Sequence, residues 1–179
     1  MPHGANFFSN RLSFERARIS GLVKDNEKVM VFFSGVGPFA IEIAKAHRKA
    51  NVVGIELNKY ASKVAIENIK HNKVSNVKLE NGDVKKLSKK YKSFADRIIM
   101  PLPQMSLTFL DEVLLVAKKG ATVHLYAFGS NEGAFDDTIN AIKAHAKERK
   151  YKIKIAFKRA VRPYSPKEIE VAIDYRISK

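Results

Sequence analysis

The chain has 179 residues, 45% of them hydrophobic and none of them cysteine, with 33 Lys and Arg against 18 Asp and Glu for a net charge of +15. This length suits one domain with a substantial core, and the lack of cysteine excludes disulfides, thiolate nucleophiles and cysteine-based zinc sites and fits a reducing, cytoplasmic setting. No window approaches the roughly 20 apolar residues of a membrane span, and the charge calls for a polyanionic partner, nucleic acid first.

The first patterned segment, residues 7–18, places Arg11, Glu15 and Arg18 on one helical face at i, i+4 and i+7, with Leu12, Ile19, Leu22 and Val23 as a separate packing stripe. From the pattern alone this reads as a solvated amphipathic helix carrying an ion pair. Short β-branched runs follow at Lys28–Phe33, Asn51–Glu56, Asn76–Asn81, Ala95–Met100 and Ala121–Phe128. Helical patterns separate them, marked by Phe39, Ile43 and His47, by Tyr60, Val64 and Ala65, by Leu110, Val113 and Ala117, and by Phe135, Ile139 and Ile142. After the last helix, Lys152–Phe157 and Glu170–Ile177 read as two strands joined without a helix. Five βα units and a closing antiparallel hairpin predict an α/β, Rossmann-like fold of the class I S-adenosylmethionine-dependent methyltransferase type, with a seven-stranded, mostly parallel sheet. No linker composition marks an interior boundary. Residues 1–24 are expected to be an N-terminal segment and helix packed on a domain spanning 25–179.

Chemistry gathers where the strands end. The first runs into Ser34-Gly35-Val36-Gly37-Pro38-Phe39 and then a helix, a turn in which glycines let the backbone pass close to a ligand. Glu56 ends the next strand about 20 residues on, where an acid can accept ribose hydroxyls. A nicotinamide cofactor would use the same acid, but a pyrophosphate turn normally carries a third glycine, and here Phe39 and Ala40 stand in its place. Asp83, in Gly82-Asp83-Val84, is placed to accept from an adenine amino group, or else to cap a helix. The fourth strand ends in Pro101-Leu102-Pro103, either a rigid terminator or a site-lining turn. His71, near a lysine-rich helix end, and His124, within a strand, read as structural; the lysines of residues 84–92 read as a solvated face. No metal site is expected.

Together, FFSNRLSFERAR, FFSGVGPFAIEIAK, GIELN, NIKHNKVSNV, NGDV, ADRIIMPLP and VRPYSP resemble the catalytic domain of the archaeal and eukaryotic tRNA (guanine-N1)-methyltransferases, with the wybutosine-synthesis aminocarboxypropyl transferases as close relatives. The resemblance implies S-adenosylmethionine as cofactor and tRNA as partner, with methyl transfer to N1 of the guanosine 3′ of the anticodon. It also implies Glu15 as general base and Arg11 and Arg16 as positioners of base and cofactor. Ser34 to Phe39, Glu56, Leu57, Asn58, Asp83, Val84, Pro101 and Leu102 would surround the cofactor, with Pro101 also at the reacting base. Arg11, Arg18, Arg159, Arg162 and Tyr164 would face RNA. Aminocarboxypropyl transfer, another RNA base, or a non-catalytic RNA- and cofactor-binding module are the alternatives. Two departures stand out: the family has Asn-Leu-Pro or Asn-Pro-Pro where this chain has Pro101-Leu102-Pro103, and an acid where it has Val31. Relatives carry N-terminal domains that grip tRNA, so a separate tRNA-binding domain or protein is also expected.

Overall fold

The computed structural model describes residues 12–178. Helix α1 (Ser13–Leu22) precedes five alternating units: β1 (Lys28–Phe32), α2 (Pro38–Ala46), β2 (Asn51–Glu56), α3 (Lys59–His71), β3 (Val77–Asn81), α4 (Val84–Leu87), β4 (Ala95–Met100), α5 (Leu110–Val116), β5 (Ala117–Ser130) and α6 (Ala134–Glu148). Strands β6 (Lys152–Pro163) and β7 (Glu168–Ser178) close the chain. Among the described residues the sheet has seven strands, as the sequence predicts. Among the described residues no helix is long and apolar enough to cross a membrane.

The described residues form two compact units, divided after Val84. In the first, parallel strands lie in the order β3-β2-β1. Val29 to Phe32 of β1 and Val52, Val53 and Ile55 of β2 are buried, the continuous apolar run expected of a parallel strand covered on both faces. Each large side chain so buried contributes about 1.5–3 kcal/mol. Helix α1 packs on α2, and here the sequence reading needs correction. The buried face of α1 is Glu15, Arg16, Ile19 and Ser20, whereas Leu22 is exposed. A helix pattern treats charge as solvent-facing; here the charges are paired and covered instead.

In the second unit the order is β4-β5-β7-β6, with β4 and β5 parallel and β7 antiparallel to both β5 and β6. Helix α6 packs on β5, β6 and β7. A buried polar chain crosses three strands: Arg97 Nη1 lies 2.7 Å from His124 Nε2, and His124 Nδ1 lies 2.8 Å from Asp174 Oδ1. Arginine only donates, so Nε2 accepts and the imidazole proton sits on Nδ1, facing the carboxylate. His124 is thus structural, as expected. On the surface, Arg149 at the end of α6 grips Asp111 in the first turn of α5 by donating from Nε and Nη2, one edge of its guanidinium, to the two carboxylate oxygens, and these hydrogen bonds hold the Asp111 carboxyl below its ordinary range.

Candidate active site

The glycine turn after β1 is built by main-chain bonds that its sequence permits. Phe33 and Gly35 adopt positive φ values of 53° and 57°, and Gly37, at 86°, forms the left-handed N-cap of α2, with Pro38 in the first helical turn. Ser34 N–H donates to Ile55 O at 2.9 Å, and Gly37 N–H donates to Ser34 O at 3.0 Å. Ser34 Oγ is buried and faces β2, where a Cβ on Gly54 would lie 2.6 Å from it. Ser34 therefore serves the turn's scaffold, and its hydroxyl is not turned toward a ligand. We expect Gly54→Ala to push Ser34 out of register and cost about 1–3 kcal/mol of stability, as overpacking does. Chemical denaturation checks this, and a stability equal to that of the parent would contradict the close packing.

Glu56 sits at the centre of the site. Its Oε2 accepts from Gly35 N–H and its Oε1 from Asn58 N–H, each at 2.7 Å. These charge-assisted bonds fix the carboxylate plane and leave each oxygen further lone-pair capacity for a pair of vicinal hydroxyls. The residues present thus fit a ribose. Asn58 also caps α3, accepting from Tyr60 N–H at 2.9 Å and Ala61 N–H at 3.2 Å. Leu57 beside it is 70% exposed, an apolar surface suited to a flat ring. Asp83 is half-buried, between Gly82 and the start of α4. Phe39 and Val84 have buried side chains, so only their main chains are available to a ligand.

Asn68, Asn81 and Ser62, to which the sequence reading assigned no role, hold this frame. Asn68 Nδ2 donates to Val36 O at 3.0 Å, pinning the glycine turn to α3. Asn81 Nδ2 donates to Glu56 O at 2.9 Å and to Ser62 Oγ at 3.0 Å. An asparagine inside a helix, as Asn68 is, runs against helix propensity, and Asn68 also opens the NIKHNKVSNV motif.

In α1, Glu15 is 2% exposed, and its Oε2 accepts from Arg18 Nε at 3.0 Å and Nη2 at 2.8 Å. Arg16, also buried, donates to Glu42 Oε2 at 3.3 Å. It borders a cleft of about 650 Å³ that Val36 and Pro38 of the glycine turn also line. Glu42 is a partner of Arg16 that the sequence did not point to. Arg11 lies outside the described residues.

The remaining candidates belong to the second unit. Pro101 and Leu102 follow β4 in a turn fastened by Ser106, whose Oγ donates to Leu102 O at 2.8 Å and Met100 O at 3.2 Å. Arg162 Nε lies 2.6 Å from Glu170 Oε2, and Glu170 is 1% exposed. Tyr164 stacks on Phe128 with ring centroids 4.0 Å apart, and Arg159 lies on the same strand as Arg162. Among the described residues no group of three or more His, Asp or Glu side chains is arranged to hold a metal ion.

A family model for the TRM5/TYW2 methyltransferase domain matches residues 4–154. The chain is 37% identical over 173 residues to the tRNA (guanine(37)-N(1))-methyltransferase Trm5b of Pyrococcus abyssi, covering 96% of this chain and 50% of that protein. Its fold matches the crystal structure of that Trm5b with a TM-score of 0.87 at 36% identity, over 96% of this chain and 50% of that one. The structure of Methanocaldococcus jannaschii TYW2 in complex with AdoMet matches with a TM-score of 0.91 at 28% identity, over 96% and 78%. A complex of aTrm5 and tRNALeu matches with a TM-score of 0.81 at 33% identity, over 94% and 46%. The chain thus spans about half the length of the Trm5b relative.

Proposed function

Because the chain belongs to the TRM5/TYW2 methyltransferase domain family, we propose that it methylates N1 of the guanosine 3′ of the tRNA anticodon, using S-adenosylmethionine, in the cytoplasm. The observation that carries this reading is the Glu56 carboxylate, held by Gly35 and Asn58 N–H groups in the orientation a ribose diol requires. S-adenosylmethionine, when bound, supplies the electrophilic methyl carbon. Glu56 accepts the ribose hydroxyls, Asp83 accepts from the adenine amino group, and Leu57 covers one face of the ring. The main chain at Gly35 to Phe39 and at Val84 completes the cradle.

Glu15 would take the proton from guanine N1, which leaves that nitrogen able to act as the nucleophile. Arg18 fixes the carboxylate through its two hydrogen bonds, so it acts as a positioning residue rather than an RNA contact alone. Arg11 and Arg16 orient base and cofactor, and a guanidinium near O6 stabilises the charge that develops there. Pro101 and Leu102 offer main-chain groups where the family offers a side-chain amide. Residues 1–24 act with the domain 25–179, and a further tRNA-binding domain or protein supplies the grip that the longer relatives' additional length allows.

Aminocarboxypropyl transfer is the second reading, supported by the TM-score of 0.91 to TYW2. Mass analysis of nucleosides from treated tRNA separates the two: a methyl increment supports the first reading, and an aminocarboxypropyl increment replaces it with the second.

A further inference from the structure

Helix α1 carries Glu15, yet its apolar packing does little to fix where it lies. Ile19 is the one buried apolar side chain within it, Phe14 and Leu22 are exposed, and Leu12 at its N-cap makes no side-chain capping bond. Apolar burial is non-directional, so a single apolar anchor holds a helix against its neighbour without setting its rotation or its axial position. Those two freedoms matter for chemistry. A slip of one residue along α1 would move Glu15 by about 1.5 Å and turn it by about 100°.

Two polar contacts between α1 and α2 restrict both freedoms. Arg16 Nε donates to Glu42 Oε2 at 3.3 Å. One helical turn further on, Ser20 O accepts from His47 Nε2 at 2.8 Å; a carbonyl oxygen only accepts, so the imidazole carries its proton on Nε2. One such contact would let α1 pivot, whereas two, a turn apart, set its rotation and its axial position together. His47 is itself firmly seated at the C-cap of α2. Its N–H donates to Ile43 O at 2.8 Å, and its carbonyl accepts from Ala50 N–H at 3.0 Å and from Asn76 Nδ2 at 2.9 Å. Its Nδ1 faces the Asp25 carboxylate at 3.8 Å, in the connection from α1 to β1. The Nε2–H is therefore presented to α1 from a backbone tied to α2, to the turn before β2 and to the residue that precedes β3.

We infer that His47 and Glu42 are positioning residues for proton removal: acting through Ser20 O and Arg16, they latch α1 onto α2 and so hold the Glu15 carboxylate in place. The inference rests on the reading of Glu15 as the general base. A misplacement of about 1 Å at a reacting group costs about 100-fold in rate. Loss of the His47 contact should therefore register in the chemical step and not in cofactor binding, whose frame is held by Glu56, Asn58 and Asn68.

Two readouts on the full chain test it: single-turnover methyl transfer to tRNA at saturating S-adenosylmethionine, and hydrogen exchange of the α1 amides. His47→Ala should slow methyl transfer roughly 10- to 100-fold. It should also speed exchange across residues 16–22 roughly 2- to 10-fold, the loss of one hydrogen bond, with S-adenosylmethionine affinity unchanged. His47→Leu fills the space without the donor and should match the alanine variant. His47→Gln keeps a side-chain N–H donor and should recover most of the rate, which a space-filling role would not predict. Glu42→Ala should slow transfer likewise, and Glu42→Gln, which keeps an acceptor for Arg16, should recover it. A parent-like rate in His47→Leu, no recovery in His47→Gln, or α1 exchange equal to the parent's in His47→Ala overturns the inference. Should a His47 variant melt early, the Glu42 pair decides by the same criteria. Methyl transfer by the parent with parent-like rates in the variants would sink this inference alone. A parent that transfers no group to tRNA, with α1 exchange still faster in the variants, would sink the functional reading instead.

Discussion

Replacing Glu15 by alanine should lower the single-turnover rate of methyl transfer by about 10²- to 10⁴-fold, the contribution of a positioned general base. S-adenosylmethionine affinity should remain close to that of the parent, because the cofactor turn is held by Glu56, Asn58 and Asn68. The geometry makes the prediction specific. Both hydrogen bonds from Arg18 go to Oε2 of this buried carboxylate, so its plane is set before any base arrives. Glu15→Gln keeps the shape and a hydrogen-bond acceptor but takes no proton at neutral pH, and it should fall as far as the alanine variant. A glutamine variant with near-parent rate would show that Glu15 organises α1 and that the proton leaves by another route. Quenched-flow measurement with saturating cofactor reads the step directly.

Glu56→Ala should weaken S-adenosylmethionine binding by about 100-fold or more. Two ionic hydrogen bonds, each worth about 1.5–3 kcal/mol, hold Gly35 and Asn58, and the same carboxylate would receive the ribose. Glu56→Gln is the sharper variant. A side-chain amide has one oxygen, yet two main-chain N–H groups on opposite sides of the carboxylate need acceptors. The NH₂ group must then face one of them. The glutamine variant should therefore lose nearly as much as the alanine variant, whereas a side chain needed only for its size would tolerate it. Isothermal titration measures both affinities, and retention of parent affinity in the glutamine variant would remove Glu56 from the site.

The alternation of strand and helix is readable in the sequence because covered parallel strands leave unbroken apolar runs. Asn51–Glu56 and Ala95–Met100 are observed with their predicted ends. Strand β5 begins earlier than the apolar run suggests, because Lys118, Lys119 and Gly120 interrupt hydrophobicity without interrupting the strand. Strand β6 runs on to Pro163, since irregularities after Ile155 and Ala160 break the period-two alternation on which the reading relied.

Glu56 and the glycine turn were legible because turn chemistry is local. The burial of Glu15 was not. It depends on the packing of α1 against α2 and on an arginine three residues later, and a pattern of charges cannot show which face a neighbour will cover. Asn68 and Asn81 were missed for a related reason: each reaches a main-chain carbonyl 25 or more residues away in sequence.

The most direct test of the account is to incubate the chain with labelled S-adenosylmethionine and unmodified tRNA transcripts that differ only in carrying guanosine or adenosine after the anticodon. N1-methylguanosine formed from the guanosine transcript alone is the predicted result. No label on either transcript despite measured cofactor binding, or equal label on both, would contradict it.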